Sequence, residues 1–165
     1  MVDVTLNVYQ LVAKEQAVFL HSWQPADLMP FPQSRLSQFE GLDYSSSTYS
    51  RLLKERTVAV VLCGTTKVIP VRLLMPTSDQ AKAYGHIDAI NRAFQAELCQ
   101  RRALSDCEME AFLGGRVARR TITKYRCESG VPEAAIRNRH YETEAAEPFR
   151  ATTKLSKFLA LSGNG

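Results

Sequence analysis

The sequence predicts a mainly α-helical protein in which two helix-turn-helix modules are joined by a β-hairpin and a linker. Three observations predict this fold class. Apolar residues recur at helical spacing, glycine separates short helix signals at two places, and β-branched residues concentrate between residues 57 and 75. We therefore expect helices along most of the chain and one small antiparallel element.

The composition is that of an ordinary globular protein. The chain has 165 residues, of which 45% are hydrophobic and 23% charged, which is enough for one or two small domains. It contains no apolar run of about 18 residues, and its start lacks the basic-then-apolar order of a secretory signal. We therefore expect a soluble, cytoplasmic protein without a membrane partner.

The N-terminal part predicts a long helix followed by the first helix-turn-helix. One apolar stripe of an amphipathic helix runs through residues 4–22, carried by Leu6, Tyr9, Ala13, Ala17 and Leu20. Prolines interrupt residues 23–32. A short helix then fits Gln33 to Glu40, Gly41 supplies a turn, and Asp43 or one of the serines 45–47 can cap a second helix that reaches about Arg56.

Residues 57–75 predict a β-hairpin. Aliphatic and β-branched runs flank a short segment in which Gly64 is available for positive φ. Pro70 cannot donate a ladder hydrogen bond, which restricts the second strand to an edge or a kink.

The C-terminal part predicts the second helix-turn-helix. A helix spans Asp79 to Arg101, and Ser105 with Glu108 forms a capping box that starts another at Asp106. Leu104 and Met109 fit a hydrophobic staple across the same start, and that helix runs to about Leu113. Gly114 and Gly115 separate it from a helix over about 118–128, and a last short helix fits 133–141. We expect domains at 1–76 and 77–141 and a tail at 142–165.

Basic residues concentrate in one short segment. Seven lie between positions 116 and 139, against two acidic ones: Arg116, Arg119, Arg120, Lys124, Arg126, Arg137 and Arg139. The segment carries +5, whereas the whole chain carries +4. Such concentration is typical of phosphate binding, and a solvated cationic face is the alternative.

The position of these residues on the predicted helix suggests individual roles. Arg119 and Arg120 lie in the first turn, where a recognition helix reaches base edges, and an arginine fork matches guanine O6 and N7. Thr121 could contact a phosphate or a thymine methyl, while Lys124 and Arg126 fit phosphate contacts. An inward face is predicted at Val117, Ile122 and Tyr125.

The sequence does not predict an enzyme, a cofactor or a metal site. The four cysteines form no C-x-x-C pair, so reduced thiols are expected. The acidic residues Asp106, Glu108 and Glu110 are explained by a helix start, where the macrodipole favours them.

The segment Ala103 to His140 closely resembles the C-terminal DNA-binding domain of the sigma-54 class of bacterial RNA polymerase sigma factors. That family's signature reads Ala-Arg-Arg-Thr-Val-Ala-Lys-Tyr-Arg, and residues 118–126 depart from it only at Ile122 and Thr123. The stretch LDYSSSTYSR, from Leu42 to Arg51, resembles the family's other helix-turn-helix. In total the likeness covers about residues 6–141.

The resemblance implies how the two modules read a promoter. Arg119 and Arg120 would read an upstream GG element, and the first module would lie near a downstream GC element through Ser47, Thr48, Ser50 and Arg51. The full expected set of DNA-binding residues adds Arg116, Thr121, Thr123, Lys124, Arg126, Arg137 and Arg139. A full-length factor of this class also carries activator-responsive and polymerase-core-binding regions, and we expect this chain to lack them.

Two functions from different classes follow. The first is a bacterial or phage transcription regulator that binds double-stranded promoter DNA of the sigma-54 type and represses or modulates transcription. The alternative is a protein that contacts RNA polymerase or another transcription factor and acts mainly through that protein contact. Replacing Arg119 and Arg120 with alanine discriminates them, because only the first function depends on DNA reading.

Overall fold

The computed structural model describes residues 2–62 and 65–153 and confirms a mainly helical fold with one small antiparallel hairpin. It divides into two compact units, the first reaching Tyr84 and the second beginning at Gly85. No helix in the described ranges is long and apolar enough to cross a membrane.

In its described residues, the first unit contains three complete α-helices, the beginning of a fourth and the hairpin. The α-helices are α1 (Val2–Glu15), α2 (Ala17–Ser22) and α3 (Ser46–Leu52), and the strands are β1 (Thr57–Leu62) and β2 (Thr65–Pro70). Short 3-10 helices cover Pro25–Asp27, Gln33–Gln38 and Val71–Leu74. The core of the unit is apolar and includes Val8, Phe19, Phe31, Leu36, Tyr49 and Leu53.

The predicted single helix over residues 4–22 is wrong, because the structure has two helices that meet at Gln16. The side chain of Gln16 is fully buried. Its Nε2 donates to the carbonyls of Met29 (2.8 Å) and Leu74 (2.9 Å), and its Oε1 accepts from the amide of Met29 (2.9 Å). The helix therefore breaks at the residue whose side-chain amide makes hydrogen bonds with the backbone of two segments distant in the sequence.

Three further boundaries differ from the prediction. The helix expected over 33–40 is a 3-10 helix ending at Gln38, and α3 ends at Leu52 rather than near Arg56. The hairpin is confirmed, with Thr57 paired to Pro70 and Leu62 to Thr65, but residues 71–74 form a 3-10 helix instead of extending the second strand. Pro70 thus ends β2, in agreement with its inability to donate to a ladder.

The remaining helices are α4 (Ser78–Gln100), α5 (Asp106–Phe112), α6 (Arg119–Glu128) and α7 (Ala134–Tyr141), and the division between the units falls within α4. The core of the second unit includes Ile90, Phe94, Leu104, Met109, Val117 and Ile122. The sequence assigns residues 142–165 to a tail, of which 154–165 lie outside the described residues. Residues 142–153 pack against this core. Asn91 exchanges two hydrogen bonds with the backbone of Ala151, which is buried.

Candidate nucleic-acid interface

The start of α5 is fixed by the capping box that the sequence predicts. The Ser105 hydroxyl accepts from the amide of Glu108 (3.2 Å), and the Glu108 carboxylate accepts from the amide of Ser105 (2.8 Å). This backbone hydrogen bond from Ser105 is the main reason why the pKa of Glu108 is lowered. Leu104 and Met109 are both buried in the core, as a hydrophobic staple requires.

A glycine turn joins α5 to α6. Gly114 and Gly115 have φ of +62° and +70°, which L side chains rarely adopt. The turn places Val117 in the core, and Ala118 then precedes the first residue of α6. This helix–turn–helix sequence in the chain is compatible with the predicted second module.

The first turn of α6 presents two arginines to solvent. Ile122 is fully buried and holds the inner face of α6, while Arg119 and Arg120 are exposed. Within the described residues, neither guanidinium has a hydrogen bond or ion pair. Lys124 is also exposed, and its Nζ lies 5.4 Å from the centre of the Tyr125 ring. These groups are therefore available to an anionic partner.

Arg126 lies on the same helix but is engaged within the protein. Its Nε and Nη2 donate to the two carboxylate oxygens of Asp106 (2.9 and 3.0 Å), and Nη1 donates to the carbonyl of Val131 (3.1 Å). Burial raises the pKa of Asp106, but hydrogen bonds from Arg126 and Thr123 outweigh it, and the net pKa is lowered. Asp106 is therefore ionised, and its negative charge neutralises the positive charge of Arg126.

Arg137 is fully buried and has no surface with which to meet a phosphate. Its guanidinium donates to both carboxylate oxygens of Glu97 (3.0 and 2.8 Å) and to the carbonyls of Leu104 and Pro132. The guanidinium carbon also lies 5.2 Å from the centre of the Phe94 ring. Two of the seven basic residues that the sequence groups together are therefore paired with acids.

The other predicted residues of the second unit lie at or near its surface. Arg116 and Arg139 are exposed, and Thr121 and Thr123 are half-buried. The Thr123 hydroxyl lies 2.7 Å from Asp106 Oδ2 and 3.0 Å from the carbonyl of Arg119. Five cations of the basic segment are exposed: Arg116, Arg119, Arg120, Lys124 and Arg139.

In the first unit, the predicted residues cluster on α3. Ser45 caps this helix by accepting from the amide of Thr48 (3.3 Å), and the hydroxyls of Ser47 and Thr48 lie 2.8 and 3.0 Å from Ser45 Oγ. Ser50 accepts from the guanidinium of Arg72 through its carbonyl and hydroxyl. Arg51 is exposed, with Lys54 and Arg56 beside it on one concave surface.

The acids that pair with Arg126 and Arg137 were not predicted from the sequence. Glu97 follows Phe94 by three residues on the apolar stripe of α4, and an acid on such a stripe is a signal for a buried pair. Asp106 gave no comparable signal, because a helix start explains an acid equally well.

In residues 2–62 and 65–153, no group of three His, Cys, Asp or Glu side chains could hold a metal ion.

An exposed basic helix that follows a capped helix and a glycine turn is typical of small helical DNA-binding domains. The family model "Sigma-54, DNA binding domain" matches residues 3–139, and the chain belongs to this family. No curated protein and no solved structure matches the chain. The family match supports a DNA-binding, transcription-related role.

Proposed function

We propose that this protein binds double-stranded promoters of the sigma-54 type with α6 in the major groove, and that it represses or modulates transcription from them. The observation that carries the proposal is the first turn of α6. Arg119 and Arg120 are exposed there without partners among the described side chains, within a segment similar to the family's signature. Each would donate two hydrogen bonds to a guanine of the GG element.

The other exposed cations of the second unit supply phosphate contacts. Arg116 in the turn, Lys124 on α6 and Arg139 on α7 carry this part of the proposal. Arg126 and Arg137 are left out because Asp106 and Glu97 already pair with them. Three phosphate contacts correspond to a slope of about −2.7 for log K against log salt, or an affinity loss of about 40-fold between 50 and 200 mM.

The first unit would contact the GC element through α3. Ser47, Thr48 and Arg51 are exposed on this helix, and Ser50 accepts from Arg72 on the same unit. Two modules on one chain bind two elements with higher affinity than either alone, because the second contact becomes intramolecular.

Fluorescence anisotropy with a duplex carrying both elements tests DNA reading. Each of Arg119→Ala and Arg120→Ala is expected to weaken binding about 5- to 150-fold, the contribution of one bidentate base contact. Arg150→Ala is the matched control, since Arg150 is an exposed arginine of the same unit outside the expected interface. Equal losses in all three variants would contradict base reading by Arg119 and Arg120.

Transcription in vitro tests whether the protein represses or modulates transcription from these promoters. Adding the protein to sigma-54 holoenzyme, its activator and a matching promoter is expected to change transcript yield, with a decrease if the bound protein occludes the promoter. The variant Arg119→Ala with Arg120→Ala is expected to lose the effect. A double variant that still changes the yield would favour the alternative function, contact with RNA polymerase or another transcription factor.

A further inference from the structure

We propose that Asp106, Thr123 and Arg126 form a latch that sets the position of α6 on DNA, so that Asp106 and Arg126 are positioning residues for base reading. The inference rests on the proposed function and changes the role of Arg126. The sequence groups Arg126 with the expected phosphate contacts of the basic segment. In the structure, its hydrogen bonds to Asp106 join α6 to α5.

The latch joins the first residue of α5 to the last turn of α6. Both oxygens of Asp106 accept from Arg126, at 2.9 and 3.0 Å, which is the bidentate geometry that an arginine fork favours. The third hydrogen bond of the guanidinium goes to the carbonyl of Val131, beyond the end of α6. Only 13% of the Arg126 side chain and 17% of the Asp106 side chain are exposed.

Thr123 adds a further contact between α6 and Asp106. Its hydroxyl lies within hydrogen-bond distance of both Asp106 Oδ2 (2.7 Å) and the carbonyl of Arg119 (3.0 Å), and its single proton serves one acceptor at a time. The family signature that this segment resembles has alanine at position 123. The hydrogen bond from position 123 to Asp106 is therefore one that the alanine of the signature could not make.

A small rotation of α6 would move the guanidinium groups of Arg119 and Arg120 out of register with base edges. Specific contacts depend on this register, whereas phosphate contacts tolerate movement better because long cationic side chains adjust to the backbone. Loss of the latch should therefore lower discrimination between sequences more than it lowers affinity for DNA in general.

The salt dependence of binding separates positioning from phosphate contact. Arg126→Met keeps the aliphatic part of the side chain, and Lys124→Ala is the matched comparison, since Lys124 is an exposed cation of the same helix. Lys124→Ala should reduce the slope of log K against log salt by about 0.9, and Arg126→Met should leave it unchanged. A reduction of about 0.9 in Arg126→Met would overturn the latch.

The ratio of affinities for matching and GG-altered DNA measures discrimination. Asp106→Asn and Arg126→Met should each lower this ratio at least about fivefold, and Thr123→Ala should lower it less. Circular dichroism and thermal melts establish that the variants are folded. The double variant Asp106→Asn with Arg126→Met leaves no unpaired charge and keeps the test valid if a single variant unfolds.

The outcomes distinguish the latch from the proposed function. A wild-type ratio of one contradicts the proposed function itself. A wild-type ratio well above one that stays unchanged in folded latch variants overturns the latch alone. A lowered ratio with an unchanged salt slope supports it.

Discussion

At the scale of single residues, Glu97 joins α4 to the start of α5 and to α7. Its Oε1 accepts from the amide of Leu104 and from Arg137, and its Oε2 accepts from Arg137 and from the hydroxyl of Tyr141. Burial and the neighbouring Glu97 carboxylate raise the pKa of Tyr141. All these groups are buried and hydrogen-bonded, and the carboxylate of Glu97 thereby joins three segments of the second unit.

Arg137→Ala is expected to destabilise the second unit by about 3–5 kcal/mol, because it leaves the buried carboxylate of Glu97 without its cation. Urea unfolding followed by circular dichroism measures the change. Arg139→Ala is the control, since Arg139 is two residues away and exposed. A stable Arg137→Ala variant with a reduced salt slope of DNA binding would instead make Arg137 a phosphate contact.

The basic segment shows what the sequence could and could not predict at this scale. The exposed positions of Arg119, Arg120 and Lys124 agree with the helical periodicity around the buried Ile122. The pairing of Arg126 and Arg137 depends on acids 20 and 40 residues away, and a local count of charges contains no information about them.

At the scale of elements, local signals predicted starts and turns well. The capping box of α5, the serine cap of α3 and the glycine turn before α6 all depend on residues within a few positions of one another. The break at Gln16 was not predictable, because its partners are the backbones of Met29 and Leu74. An apolar stripe continues across a helix break when both helices pack on one core.

Gln16→Leu is expected to destabilise the first unit by more than about 2 kcal/mol, because three hydrogen bonds between a buried side chain and backbone groups are lost together. Hydrogen exchange should show faster exchange in α1, α2 and the 71–74 segment, with the second unit unchanged. Gln10→Leu, at an exposed position of α1, is the control. Equal protection in the two variants would show that the amide of Gln16 does not stabilise the unit.

At the scale of the whole molecule, the family match covers residues of both units, and the second unit extends beyond the match. Phe149 packs on Tyr141 with ring centres 5.9 Å apart, and Ser129 Oγ accepts from the amide of Thr152 (3.0 Å). Nothing in the composition of residues 142–153 predicts this packing, since the segment forms no helix or strand and is held by single ring contacts and by hydrogen bonds of its backbone to distant side chains.

Removing residues 142–165 is therefore expected to destabilise the second unit by about 2 kcal/mol or more relative to removing 154–165, because Ala151 and Phe149 leave the core. Thermal unfolding of the two shortened chains measures the difference. Equal melting temperatures would mean that the segment contributes no stability.

Arg119 and Arg120 are proposed to read the GG element of a sigma-54-type promoter. The most direct test crosses protein and DNA changes: wild type and the Arg119→Ala, Arg120→Ala double variant are each titrated with matching and GG-altered duplexes at one salt concentration. We predict that altering GG weakens wild-type binding at least about fivefold and leaves the affinity of the double variant nearly unchanged, since the contact is already lost. Equal effects of the DNA change on both proteins would contradict base reading by Arg119 and Arg120.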